Sequence, residues 1–492
     1  MSSSAVAPSP VPHGGRGVDS TFIHELRRIC GTDHVLTGHD ETHVYDCDAF
    51  TLEKSAPDVV VLPGSTEEVA AVVRMCHERG VPFVGRGAGT GLSGGALALS
   101  GGVIIALTRM KRIIEVDLRN RRITAQAGAV NISLSRAVAA DRYQYAPDPS
   151  SQMACTIGGN VAENSGGPHT LKYGVTVNHV LGLTVVLPNG EVLKLGGKEE
   201  DSAGYDLVGL FVGHEGTFGI VTEVVARLVR LPQTVRTMLG VFETVEDATN
   251  TVSGIIAAGI VPAALEMMDA LIIQAVEAAF GFGFPLDAGA CLIIELDGLE
   301  AGIDAQAEQV REICRTHRAR EIRTAHSDAE RDLLWKARKR AFGAVGRLAP
   351  SNITQDGVIP RTRLPEMLRT IGEIVSRHGL KCANVFHAGD GNLHPLLLFD
   401  ERDPAQVKGV IAASEEILRA CVAMGGSITG EHGIGIEKSG FVTCQFTEVD
   451  LDVMKRLREV FNPGELCNPG KLFPTGKGCL ETTMHRRKSV AL

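Results

Sequence analysis

Ten residues, Arg86 to Gly95, read Arg-Gly-Ala-Gly-Thr-Gly-Leu-Ser-Gly-Gly. Five are glycine, a density that neither a helix nor a strand interior tolerates well. The segment must be a loop, and its bare backbone can approach a ligand closely. It follows a strand-like run, Val81 to Val84, and contains a G-x-G-x-x-G match at Gly89, Gly91 and Gly94. A dinucleotide-binding Rossmann turn would open a helix at the last glycine, so that the helix N-terminus receives the pyrophosphate. Here Gly95 leads into Ala-Leu-Ala-Leu-Ser-Gly-Gly-Val-Ile-Ile, which reads as loop and then strand. That disfavours an NAD-dependent Rossmann dehydrogenase. Two readings stay open: an anion-binding nest of backbone N–H groups, or a plain glycine-rich turn.

Glycine makes up 56 of 492 residues and is clustered, not periodic, so collagen-like readings fail. Lys+Arg is 49 against 58 Asp+Glu, a net charge of −9, and aromatics are 4%. Neither a basic stripe nor a base-stacking surface is indicated, which excludes nucleic-acid binding. The 11 cysteines are scattered without a C-x-x-C pair. This argues against a disulfide scaffold, a zinc ribbon or an iron–sulfur centre, and predicts a reducing, cytoplasmic setting. Residues 1–20 are rich in Ser, Pro, Gly and Ala and read as a disordered leader, not a secretory signal. The best membrane-span candidate, 251–279, is interrupted by Gly259, Pro262, Glu266, Asp269 and Glu277. A soluble chain is expected, with peripheral association to a membrane complex left open.

From Pro57 the pattern is crisp. A buried strand at 59–62 is followed by a helix from Ser65 or Thr66 to Arg79, and by strands at 102–107, 113–117, 122–127, 180–187, 191–195 and 220–228. A helix is expected at 130–140, and Pro188-Asn189-Gly190 reads as a hairpin turn. After Pro232, alternating strands and helices (235–242, 245–258, 263–267, 269–279, 290–296, 302–317) suggest a ferredoxin-like sandwich. A helix at 328–345, a strand at 353–359, a helix at 364–378, strands at 382–387 and 393–399 and a helix at 404–424 follow. The fold class is α+β. The expected domains are 21–234, a substrate or cap domain at 235–430, and a segment at 431–492 that returns to the first domain.

Three further constellations carry chemistry. Pro147-Asp148-Pro149-Ser150, Thr156-Ile-Gly-Gly-Asn160, Asn164-Ser-Gly-Gly167 and Lys172-Tyr-Gly174 are rich in small, hydroxyl and amide groups that suit a large planar polar ligand. His387-Ala-Gly-Asp-Gly-Asn-Leu-His394 reads as a hairpin. If Ala388 and Leu393 close the turn, the two imidazoles become cross-strand neighbours about 5 Å apart and can share a metal; a hairpin merely flanked by two histidines is the alternative. Gly430-Glu431-His432-Gly433 adds an acid and a histidine among glycines, either a solvated loop or the third member of an open catalytic metal site. Arg338 lies on a basic helix, either as part of a solvated face or as a guanidinium fork for a carboxylate.

The ordered series 63–69, 86–95, 156–160, 172–174 and 216–222 resembles the FAD-binding domain of the vanillyl-alcohol oxidase / p-cresol methylhydroxylase (PCMH) type. The resemblance implies FAD, with its pyrophosphate on Arg86, Gly87, Gly89, Thr90, Gly91, Ser93 and Gly94. It implies an isoalloxazine near Pro147, Asp148, Ser150, Thr156, Gly158, Gly159, Asn160, Asn164, Gly167, Tyr173 and Gly174, with Gly219, Ile220 and Asn468 completing the set. The loop has no histidine, so non-covalent FAD is expected. Trp335–Arg338, Gln355–Pro360, the His387–His394 motif, Gly430–Gly435 and Asn468–Lys471 resemble the C-terminal domain of FAD-linked D-2-hydroxyacid dehydrogenases, which include D-lactate dehydrogenase and the FAD subunit of glycolate oxidase. This resemblance implies His387, His394 and Glu431 as ligands to a divalent metal (zinc, with manganese or iron as alternatives), His432 as catalytic base and Arg338 as carboxylate anchor. Where relatives acting on 2-hydroxyglutarate carry Thr, Lys and Asn, this chain has Phe342, Thr354 and Leu396, which favours a short substrate such as D-lactate or glycolate. Electrons would pass to a separate acceptor: a quinone, an iron–sulfur subunit, an electron-transfer flavoprotein or a cytochrome. A non-catalytic electron-transfer subunit is the alternative.

Overall fold

A computed structural model describes residues 17–199 and 203–474 of the chain. Most of the expected leader, residues 1–16, lies outside the described residues. The rest of it does not behave as a leader. Asp19 caps helix Ser20–Cys30 by accepting from Phe22 N at 2.7 Å, and Phe22 and Leu26 sit in the core.

Two larger sheets and a two-stranded pair, Tyr143–Gln144 with Val229–Arg230, build the first half. Val59–Val61, Val103–Ala106 and Phe83–Arg86 run parallel, with Val35–Leu36 antiparallel at one edge. Val59, Val60 and Val61 are all buried, the pattern of a strand covered on both faces. Helix Thr66–Arg79 makes the crossover, capped by Ser65 and ended by Gly80 in the left-handed region. The second sheet is antiparallel, in the order Ile113–Asp117, Arg122–Gln126, Ile220–Arg227, Val180–Val186, Val192–Gly196. The Pro188–Gly190 turn closes its last hairpin, with Gly190 N donating to Leu187 O at 2.8 Å.

One seven-stranded antiparallel sheet dominates the second half: Glu321–Thr324, Thr234–Phe242, Ala290–Gly298, Ala264–Asp269, Lys381–His387, Pro395–Phe399, Ser351–Thr354. The first four strands have the 4-1-3-2 order of a ferredoxin-like unit, and three later strands extend it. Helices Ala270–Phe280 and Asp328–Val345 cover one face. Helices Val245–Ala257, Glu300–Thr316, Leu364–Arg377 and Pro404–Ala423 cover the other. The strand expected at 353–359 ends at Thr354, because Asp356 leaves the ladder to bind the backbone of residues 430–432. Residues 462–471 then lie against the first half. Asn468 Nδ2 donates to Gly95 O and Glu215 O, and Lys471 Nζ to Leu97 O at 2.7 Å.

Candidate functional site

The glycine loop, the Thr156 region, the Gly213–Gly219 turn and the Glu431–His432 loop converge on one cavity of about 410 Å³, within the range of small-molecule sites. The expected residues Gly87, Gly89, Thr90, Gly91, Ser150, Thr156, Gly159, Asn160 and Asn468 line it, as do His394, Glu431 and His432. The glycine loop has little room for side chains. A Cβ on Gly87 would lie 2.3 Å from Thr156 Oγ1, and one on Gly94 (φ +76°) 2.4 Å from Ile436. Thr156 caps helix Ile157–Glu163, and Asn160 is held by Asn131 at 3.0 Å.

Other expected cofactor residues lie behind this wall. Arg86 donates to Cys47 O at 2.7 Å and covers the Tyr45 ring. Ser93 O accepts from Ile436 N at 2.9 Å, while Pro147 O accepts from Asn131. Gly158 packs on Ala127, Gly167 on the Asp148 backbone, and Gly219 on Val186 O. Asn164 caps its helix at φ +54° and accepts from Val177 N, and Ile220 packs over Gly85. Asp148 binds His169 Nδ1 at 2.9 Å, and His169 Nε2 reaches Glu295 at 3.3 Å across to the second half. Tyr173 donates to Asp297, and Gly174 N closes the short turn onto Thr170 O.

The two histidines meet, though not by the expected register. His387 bridges Asn392, and the ladder resumes only at Pro395 opposite Asn384, so His394 stands off the strand pair. The rings are nevertheless 5.1 Å apart and perpendicular. Ligand atoms of His387, His394 and Glu431 all lie within 4.8 Å of one another. His394 Nδ1 is buried without a hydrogen-bond partner, its Nε2 lies 3.4 Å from Glu431 Oε1 and 3.5 Å from Asp356 Oδ1 without forming a good hydrogen bond, and His387 Nε2 lies 3.1 Å from Glu431 Oε1. This donor set fits a divalent cation with open positions. Burial works against charge on His387, but Glu266 and Glu431 overcome it and hold its pKa well above the usual imidazole range. Burial likewise opposes the Glu431 charge, yet His387, His394 and His432 bring its pKa down to about 2. Together the two carboxylates make a pocket that attracts positive charge.

His432 stacks on His394, with centroids 4.9 Å apart and planes 11° apart. Burial pushes its pKa down to about 4, so it is neutral at pH 7, and its Nδ1 is unpartnered.

Several residues whose roles the sequence did not disclose support the site. Glu266, fully buried on strand Ala264–Asp269, accepts from His387 Nδ1 at 2.7 Å and ion-pairs with Arg338 Nη2 at 2.7 Å. A carboxylate behind a ligating histidine fixes its tautomer and ring orientation. Arg338 therefore stands one layer behind the cavity, with Nε and Nη1 lacking acceptors, and Lys339 is the cation on the wall itself. Asp356, also fully buried, accepts from Thr429 Oγ1 and from Gly430, Glu431 and His432 N. Asp48, Glu163, Glu215 and Phe342 line the cavity. The Gln355–Pro360 motif contains Asp356, and Glu215 directly precedes the 216–222 stretch; Glu266 showed only as a charge interrupting the apolar run 251–279.

Residues 57–196 match the family model of the FAD binding domain, and 231–472 that of FAD linked oxidases, C-terminal domain. The chain is 45% identical over 465 residues to the glycolate oxidase subunit GlcD of Escherichia coli K12, covering 94% of this chain and 93% of that one. It is 33% identical to a D-lactate dehydrogenase of Anaerostipes hadrus, covering 88% and 92%. In fold it is similar to p-cresol methylhydroxylase (TM-score 0.78, 18% identity, 93% and 97% covered) and to a 4-ethylphenol oxidase from Gulosibacter chungangensis (0.76, 20%, 93% and 98%). Cavity and comparisons agree: the chain belongs to the FAD-linked oxidases, with a PCMH-type FAD-binding domain and an FAD-oxidase C-terminal domain.

Proposed function

We propose that this chain oxidises a short 2-hydroxy acid, D-lactate or glycolate, to the 2-oxo acid with non-covalent FAD and a divalent metal. The observation that carries the reading is the stack of neutral His432 on His394, in one cavity with Glu431 and the glycine loop. Bound FAD supplies a two-electron acceptor for the C2 hydrogen, and a bound divalent cation supplies Lewis acidity at the 2-hydroxyl. The chain's residues do the rest. His387, His394 and Glu431 would hold the cation, and Glu266 orients His387. His432 takes the hydroxyl proton, for which its burial keeps it neutral. Lys339 on the wall, backed by the unpartnered nitrogens of Arg338, meets the substrate carboxylate. Phe342, 6.1 Å from the His394 ring, restricts the room left for a longer side chain.

The similar glycolate oxidase chain is a subunit, and this sequence has no cysteine cluster; both support transfer of electrons to a separate partner. Among the described residues no helix is long and apolar enough to cross a membrane. The test is anaerobic bleaching of the flavin by a panel of D-lactate, glycolate and D-2-hydroxyglutarate, with metal analysis of the same sample. His432→Ala should slow bleaching by about 10²–10⁴-fold with FAD still bound. Full-rate bleaching of that variant refutes the base assignment, and no bleaching of the wild type by any 2-hydroxy acid refutes the reading.

A further inference from the structure

The loop that carries Glu431 and His432 is gripped at two points by two buried carboxylates from different halves of the molecule. Asp356, from the second half, takes the backbone N–H groups of residues 430–432 and is itself ion-paired with Lys438 at 3.3 Å. Glu215, from the turn before strand Ile220–Arg227 of the FAD-binding half, takes those of Ile434 and Gly435, while Gly433 N donates to Thr429 Oγ1. Its Oε1 accepts from Ile434 N at 2.7 Å and its Oε2 from Gly435 N at 2.6 Å. Both oxygens are thus committed to the backbone just past His432.

A second, independent observation concerns the Glu215 backbone. Its φ is +51°, a left-handed conformation that costs a non-glycine residue free energy. Such strain persists only where surrounding contacts over-determine it, and it gathers at functional sites. Here Glu215 N donates to Ala162 O and Glu215 O accepts from Asn468 Nδ2, both at 2.8 Å. The loop leaves no slack. A Cβ on Gly433 would lie 2.4 Å from Glu163 Oε2 and 3.0 Å from the Glu215 carboxyl. Burial raises the pKa of both Glu163 and Glu215, Glu163 also against its neighbour's charge. Two donated amides favour Glu215 as the charged member of the pair.

We infer that Glu215 is a positioning residue: it ties the Glu431–His432 loop to the FAD-binding half and so sets where the proposed base and metal ligand stand relative to the glycine cradle. The inference rests on the functional reading above for its catalytic consequence, but not for its structural one. Without Glu215 the next ties to the FAD-binding half are Ile436 N and Glu437 N on Ser93 O, at 2.9 and 3.2 Å, so residues 430–435 would be held by the second half and free to shift against the glycine cradle. A misplacement of about 1 Å at a reacting centre costs on the order of 10²-fold in rate.

The experiment uses the full-length holoprotein and Glu215→Ala, read by amide hydrogen exchange and by anaerobic flavin reduction. Exchange at Ile434 and Gly435 should quicken at least about 10-fold, while that of residues 86–95 and the bound FAD stay as in wild type. Flavin reduction should slow by about 10²-fold, with a much smaller change in KM. Glu215→Gln, which keeps one acceptor oxygen, should fall between the two and serves alone should the alanine variant not fold. Unchanged exchange at 434–435 overturns the inference. So does a rise shared by residues 86–95 with loss of FAD, because that would mark a purely structural role. If the wild type is not reduced by any 2-hydroxy acid, the functional reading fails, while the exchange result still decides on the clamp.

Discussion

Glu266 offers the most quantitative test of how the site is held. Its two oxygens divide between His387 Nδ1 and Arg338 Nη2, each at 2.7 Å, and both Glu266 and Arg338 are essentially shielded from water. Glu266→Gln keeps the volume but removes the charge. One amide face still meets one partner, while the guanidinium is left buried without a counter-charge. Breaking such a pair costs about 3–5 kcal/mol. At about 2–4 °C per kcal/mol for a unit of this size, the metal-free protein should melt roughly 6–20 °C lower. Loss of the carboxylate behind His387 should also weaken metal binding by about 10–100-fold. Thermal melts of metal-depleted protein give the first number, and competition against a chromophoric chelator gives the second. Glu308→Gln, at an exposed pair with Arg311 and Arg315, is the control and should leave the melting temperature in place. A Glu266→Gln protein that melts within about 2 °C of wild type and binds metal equally well would refute the argument.

Three further outcomes follow from the same geometry. His169 is clamped between Asp148 and Glu295; burial opposes its charge, yet the two carboxylates raise its pKa to about 10. A folded pKa above the unfolded value of about 6.5 gives stability that is complete below pH 6.5 and is lost as pH rises toward 10, up to about 5 kcal/mol. Denaturant midpoints of the wild type should therefore decline over that window, and His169→Gln should lack the decline; parallel slopes would disprove the clamp. Lys339→Met should raise KM for D-lactate or glycolate by about 10-fold or more, while the flavin spectrum is unchanged; steady-state kinetics across ionic strength checks it, and an unaltered KM removes Lys339 from the site. Phe342→Ala should admit longer 2-hydroxy acids and shift their kcat/KM relative to lactate by about 10–200-fold, which a substrate series will show or deny.

Local patterns made much of this molecule legible, and long-range electrostatics did not. The three valines at 59–61, the Ser65 cap and the Pro188-Asn189-Gly190 turn are each decided within a few residues, so strands, helix starts and hairpin follow from the chain itself. Glycine density marked the cradle because only backbone can pass so close to Thr156 and Ile436. The His387–His394 register was harder. Hairpin symmetry would pair the two histidines, but Asn392 takes the bridge to His387, and His394 reaches Glu431 from the loop. Glu266 and Arg338 were the least legible. In sequence, Glu266 is simply a charge that interrupts an apolar stretch, and Arg338 one of several cations on a basic helix. Their meaning comes from a sheet that sets residue 266 opposite residue 387 and from a helix laid over that sheet. A buried charge is costly alone and tolerable when paired. An acid inside an otherwise apolar stretch of a folded domain is thus itself a signal that a cationic partner must arrive from elsewhere in the chain, even though sequence spacing cannot say from where.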